Sequence, residues 1–146
     1  MRNMMLPVRN FKRVCVGLLF LLTLVGCEEK DPFVTPGKVE NPNWVITVDN
    51  NMTVSMTALV QVSFAQNEGV LAAFMGEECC GIGEYIDGLY WLYITPATED
   101  GGEVQLKFYS PDLKRIFVAE DTFPFRNNDM LGTVANPYSP SWVVAK

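Results

Sequence analysis

The sequence predicts an all-β domain, an antiparallel β-sandwich of immunoglobulin-like or jelly-roll-like type, and three observations predict it. Apolar residues recur with period two, above all in "NMTVSMTALVQVSF". There Met52, Val54, Met56, Ala58, Val60, Val62 and Phe64 alternate with residues that are polar except for Leu59. Short β-rich runs follow one another closely, with Gly, Pro and Asp between them, and no amphipathic helical repeat interrupts them. Alternate side chains of a strand face opposite ways, so this pattern gives each sheet one apolar face. Two sheets that bury those faces against each other leave neither wet.

Ahead of that domain the chain reads as an export signal and a linker. Arg2, Arg9, Lys12 and Arg13 form a basic start, and Val14 to Val25 is an unbroken apolar run, shorter than the roughly 20 residues of a spanning helix. It ends in "LVGC", which resembles the lipobox of bacterial lipoproteins. The resemblance implies a signal peptide at residues 1–26, cleavage before Cys27 and lipidation of that cysteine. Two acyl chains are enough for stable anchoring, so the expected partner at this end is a membrane held by lipid rather than spanned. The charged, Pro- and Gly-containing stretch that completes residues 27–42 reads as a flexible tether, and residues 43–146 as the domain. The acidic "CEEKD" resembles the signal that places lipoproteins of Bacteroidota on the outer face of the outer membrane. A cell-surface address is therefore expected, with the periplasmic face as the alternative.

Strand by strand, the long alternating run opens the sheet, straight or bent in its middle. "VLAAFM" (Val70 to Met75) follows the loop "QNEG", and Gly76-Glu77 suits a hairpin turn that sets Phe74 beside Cys79 and Ala73 beside Cys80. "CCGIGEY" (Cys79 to Tyr85) and "LYWLYI" (Leu89 to Ile94) flank Asp87-Gly88, the dipeptide of a two-residue type I′ hairpin. Strands are expected at Glu103 to Tyr109 and Arg115 to Glu120, around the proline turn "SPDLK". The segments "FPF" and "NPYSPSW" suit edges or loops, and Trp142 to Ala145 a last short strand.

The order "NMTVSMTALVQV", "GVLAAFMGEECCGIGEY", "GLYWLYI", "VQLKFYSP" and "LGTVANPYSPSW" resembles a module of Bacteroidota cell-surface lipoproteins and secreted proteins. Its pattern is N-M-T, then L-A-A-F-x-G-x-E-C-R-G, and the likeness covers about Asn43 to Trp142. It implies a β-sandwich of unassigned activity and an address, and no catalytic residue. Cys80 departs from the pattern, standing where the module has arginine.

Composition removes several kinds of chemistry. Without the signal, 7 basic residues face 17 acidic ones, a net charge of −10, which disfavours nucleic acid and anionic lipid surfaces as partners. The chain has no histidine, and only Cys79 and Cys80 fall within the domain. That argues against a Cys-built zinc site and a Cys–His catalytic pair; no metal site and no cofactor are assigned, and divalent cations such as calcium, held by loop oxygens, stay open as ligands. Neighbouring strand residues point to opposite faces, which favours packed thiols at Cys79 and Cys80 over a vicinal disulfide and leaves an intermolecular disulfide or a functional thiol as lesser alternatives. Gly81 and Gly83 precede no helix and so do not form a phosphate loop. Strand glycines of this kind admit a close aromatic neighbour or a bulge.

The acidic side chains read as solvated turn residues, and no pair of them is identifiable as catalytic; neither "TEDGGE" nor "RNND" has EF-hand spacing. The candidate ligand-binding residues are Trp91 and Tyr93, which share one strand face with Leu89, while Tyr90, Leu92 and Ile94 share the other. If their face is open, they form a flat platform for sugar rings or apolar side chains. Trp44 and Trp142 are expected to seal the edges of the sandwich. The leading functional class is a non-enzymatic, surface-anchored binding or accessory module with glycan as one ligand class. A structural, adhesin-type interaction subunit is the alternative, and a carboxylate-dependent hydrolase the remote third.

Overall fold

The computed structural model describes residues 37–146 apart from Asn50, Met52, Gln66 and Asn67; the signal region, Cys27 and the first part of the tether lie outside the described residues. Ten strands form two sheets: β1 (Met56–Val60), β2 (Val70–Met75), β3 (Glu78–Ile82), β4 (Glu84–Ile86), β5 (Leu89–Ile94), β6 (Glu103–Ser110), β7 (Arg115–Ala119), β8 (Phe123–Pro124), β9 (Met130–Leu131) and β10 (Trp142–Val144). The first sheet runs β4-β5-β1-β9 and the second β10-β7-β6-β2-β3, with β8 paired to the start of β6. Every pairing between two named strands is antiparallel except β1 with β9, a parallel contact of two residue pairs that an isolated parallel bridge from Val60 to Tyr138 extends. The architecture is the all-β sandwich that the period-two pattern predicts.

The buried faces meet as alternation requires. Met56, Ala58 and Val60 of β1 and Tyr90, Leu92 and Ile94 of β5 pack in one cluster with Leu71, Ala73, Leu106 and Phe108 of the second sheet. Tyr90 meets Phe108 edge-on at 5.7 Å between ring centroids, a favoured aromatic geometry. Fully burying each such apolar side chain contributes about 1.5–3 kcal/mol, so this two-sided layer dominates the stability.

Among its described residues the long alternating run forms a strand at Met56–Val60 alone, although its facing persists beyond: Val62 is buried, Ser63 exposed, and Phe64 packs on the core. Its ends are bound by loops instead of neighbouring strands. Ser55 N donates to Asn127 Oδ1, and Gln61 N donates to the Tyr138 carbonyl. Leu59, the apolar exception on the polar face, is also buried.

"CCGIGEY" is not one strand in one sheet. It divides at Gly83: β3 pairs with β2 in the second sheet, and β4 pairs with β5 in the first. Gly83 N still donates to the Leu71 carbonyl at 2.8 Å, after which the chain crosses over. A Cβ on Gly83 would lie 3.3 Å from both the Tyr90 ring and Leu71 Cβ, so the crossing passes where a side chain would crowd the core.

Two hairpins follow their turn residues. Gly76 has φ 61° and opens the Gly76-Glu77 turn between β2 and β3. Asp87 and Gly88 both have positive φ, 50° and 86°, as a type I′ turn demands. The first hairpin pairs Phe74 with Cys79 as expected, but Ala73 pairs with Gly81 and not with Cys80. A register shift between Ala73 and Phe74 makes the difference: Cys80 is the extra residue of a bulge.

Candidate functional site

The strand β5 carries Trp91 and Tyr93 outward because its other three residues are committed to the core. Tyr90, Leu92 and Ile94 are each at most 1% exposed, whereas Tyr93 is 64% and Trp91 36% exposed. Successive outward residues on one strand sit about 7 Å apart, so the two aromatic side chains stand side by side. Their neighbours follow from register. Trp91 lies between Leu59 of β1 and Glu84 of β4, and Tyr93 lies opposite Thr57, which in turn pairs with Met130 of β9. Ile86 and Met130 are exposed on the flanks of this face. No lysine or arginine occurs in the four strands of this sheet. The face is thus an apolar and aromatic strip with one carboxylate, Glu84, beside Trp91. It can stack on a ring or an apolar side chain and accept hydrogen bonds from hydroxyl groups.

The Cys79–Gly83 stretch lies behind this face. Thr95 N, immediately after β5, donates to the Cys80 carbonyl at 2.9 Å, a backbone bond between the two sheets. A Cβ on Gly81 would come within 2.5 Å of the Tyr93 carbonyl oxygen, so only glycine lets β3 back so closely against β5. The bulge and the two glycines close one corner of the sandwich under the strand that bears Trp91 and Tyr93. A close aromatic ring, as expected for such glycines, is present at Gly83, where it is Tyr90; at Gly81 the close neighbour is the main chain of Tyr93 and Ile94.

Cys79 and Cys80 are free, buried and turned to opposite faces. Cys80, 1% exposed, belongs to the inter-sheet core, and its Sγ contacts the Glu78 carbonyl at 3.4 Å. Cys79 belongs to a second cluster on the outer side, with Ala72 and Phe74, packed against Trp44 and Ile82. Burial pushes both thiols above their ordinary value; for Cys79 the Gly81 carbonyl contact and Lys107 act weakly in the opposite sense. Both are therefore held as neutral thiols, the form that is neither nucleophile nor metal ligand.

The outer cluster was not legible as a unit. Trp44 lies beside the edge strand β3 and meets Phe74 edge-on at 5.5 Å on the outer side of the second sheet, and the Lys107 ammonium sits 4.3 Å over the Phe74 ring. The segment carrying Trp44 is fixed by paired bonds, Thr47 N to the Cys79 carbonyl and Cys79 N to Thr47 Oγ1, both 3.0 Å. It is also fixed earlier, within the stretch read as tether, by Val39 N donating to the Lys114 carbonyl. Trp142 lies on the edge strand β10, with its ring 6.2 Å from both Phe64 and Phe108.

The turn carboxylates do not converge. Among the described residues no group of three or more His, Cys, Asp or Glu side chains is arranged to hold a metal ion. Glu99 and Asp100 border an open polar groove of about 470 Å³ with Asn51, Thr53 and Val54.

Fold and surface together define a two-sheet β-sandwich with one exposed aromatic face. Comparison with known proteins gives no matching family model, no matching curated protein and no matching solved structure.

Proposed function

We infer that the chain is a surface-anchored lipoprotein whose sandwich serves as a non-enzymatic binding module, with Trp91 and Tyr93 as its ligand platform and glycans as the leading ligand class. The observation that carries this reading is the outward display of two neighbouring aromatic side chains on a strand paired on both sides, beside the exposed acceptor Glu84. Exposed aromatic surface is costly to leave wet, and sugar rings present flat C–H faces that stack on it. The lipobox-like "LVGC", with Cys27 as the lipidated residue, supplies the anchor in this reading, in the outer membrane and facing outward.

Affinity electrophoresis through gels holding soluble glycans tests it. Retardation is expected for the native chain, with at least a tenfold loss of affinity (about 1.4 kcal/mol) in Trp91→Ala and in Tyr93→Ala. Both variants should unfold near the native midpoint, because the two side chains face outward. Retardation that survives both substitutions removes the platform from the proposal.

A second reading, an adhesin-type interaction subunit, draws on β10. This edge strand leaves Val143 and Val144 exposed beside an open row of backbone groups, the feature that strand addition by a partner uses. Crosslinking on intact cells followed by capture distinguishes the two: a specific protein partner, with no glycan retardation, favours the interaction subunit.

A further inference from the structure

The positive charge of this acidic domain is gathered at one end. Residues 37–146 contain six basic residues, and backbone pairing brings four of them, Lys38, Lys114, Arg115 and Lys146, to the β6–β7 turn, with Arg115 and Lys146 lining one groove there. Val39 N donates to the Lys114 carbonyl, which sets Lys38 beside that turn. Ala145 N donates to the Ile116 carbonyl, which brings the last residues of the chain against it. Between them runs a shallow groove of about 230 Å³ floored by Val39, Ile116 and Val144. Leu113 projects from the same turn, 51% exposed, and borders a separate hollow with Phe64, Ser110 and Asp112; Val39 and Val144 at the groove are exposed as well. Glu40 and Asp112 are the nearby acids in sequence, so the patch keeps a positive surplus within a domain that is otherwise negative.

This is also where the chain enters the domain, since Gly37 borders the same groove. We propose that the patch formed by Lys38, Leu113, Lys114, Arg115 and Lys146 docks on the anionic headgroup surface of the bilayer that holds the lipid anchor, with Leu113 entering the interface. The inference rests on the anchored reading given above and adds an orientation to it. Two physical points decide for lipid. Basic side chains around an exposed leucine match a surface that is anionic outside and apolar just beneath. The net negative charge opposes long-range attraction, but an anchored domain does not have to be attracted from solution. The anchor holds it close, and the patch acts only within a Debye length of about 8–10 Å.

The test uses the acylated full chain reconstituted into vesicles, with a nitroxide on Leu113→Cys or, as a control, on Asp87→Cys in the β4–β5 turn. Collisional relaxation by a water-soluble nickel chelate reports how wet each label is. In vesicles rich in phosphatidylglycerol the label at 113 is expected to lose nickel access several-fold relative to neutral phosphatidylcholine vesicles. The label at 87 should be equally wet in both. Combining Lys38→Glu, Lys114→Glu and Arg115→Glu should restore access at 113. A label at 113 as wet on anionic as on neutral vesicles, in protein that floats with both, overturns the docking while leaving the anchor intact. Protein that floats with neither overturns the anchored reading and the docking with it. Protection of position 113 on cells but not on protein-free vesicles assigns the patch to a protein partner and overturns the lipid assignment.

Discussion

The Tyr90 hydroxyl closes on Gly69 from both sides: it accepts from Gly69 N at 2.8 Å and donates to the Gly69 carbonyl at 3.3 Å. The phenol thus reaches from the centre of one sheet to the backbone just before the first residue of β2 in the other. Gly69 is obligatory there, because a Cβ would come within 2.4 Å of the Phe108 ring that Tyr90 itself packs on. Tyr90→Phe keeps the ring and strips both backbone groups of their partner. A loss of about 1–2 kcal/mol is expected in urea unfolding, with an unchanged slope.

The corner glycines carry a sharper prediction. Gly81→Ala forces a Cβ against the Tyr93 carbonyl, a backbone atom that cannot rotate away. Gly76→Ala meets nothing within 4 Å, and its cost is confined to the positive φ of 61°. Gly81→Ala is therefore expected to lose more than about 2 kcal/mol and Gly76→Ala about 1 kcal/mol. Thermal unfolding of the two variants side by side checks the order; equal losses would mean that the corner relaxes freely.

Alkaline pH should weaken the fold. Burial pushes the Cys79 and Cys80 thiols above 9.0 and the Tyr90 phenol above 10.0, and for Tyr90 the Gly69 contact opposes this only in part. In each case the folded state favours the protonated form. That stabilisation is complete below the unfolded value and is lost as pH rises through the folded one. Unfolding free energy should therefore hold steady up to about pH 9 and fall above it. The double variant Cys79→Ala, Cys80→Ala should move the onset of the fall upward, towards the tyrosine range. A flat profile to pH 11 or so would contradict the burial of these groups.

The two thiols should differ once Trp44 is gone. Cys79 lies in the cluster that Trp44 packs on, and Cys80 lies between the sheets. Trp44→Ala is expected to make Cys79 reactive towards a maleimide in the native state and to leave Cys80 silent, with mass mapping to tell them apart. Equal labelling would place the protection in the global fold instead of the overlying indole.

Cys80→Arg asks what the resembled pattern means for this chain. The arginine of that pattern would here enter a site 1% exposed among the apolar side chains of the inter-sheet core, with Glu78 as the acid near it. A loss above about 3 kcal/mol is expected, because a charge is among the costliest groups to bury. A stable variant would show that the bulge can turn residue 80 outward.

Five of the ten strands, β2, β5, β6, β7 and β10, lie within a residue of where the apolar runs and turn residues place them. Val70–Met75 and Leu89–Ile94 fall where the apolar runs do. What alternation cannot carry is the partner of each strand. "CCGIGEY" has one continuous pattern, yet the crowding of Tyr90 and Leu71 about Gly83 splits it between two sheets. The bulge at Cys80 is invisible for the same reason, since a local count of residues does not reveal an unpaired one. Met130 and Leu131 give β9 only two residues, too few for any periodicity. The open face at Trp91 and Tyr93 was one of two choices in the sequence. Leu92 and Ile94 decide it by entering the inter-sheet core, along with Tyr90 and its bond to Gly69.

The segment from Val39 to Thr47 also has a mechanical meaning. A pull arriving from the N-terminal side loads the Val39–Lys114 bond first and the Thr47–Cys79 pair next, so it is borne at the β6–β7 turn and by β3 before it reaches β1. The segment is then a sacrificial extension. Peeling it away pays out roughly 30 Å of chain at about 3.4 Å per residue and lifts Trp44 from Phe74, while the two sheets and the aromatic face stay whole.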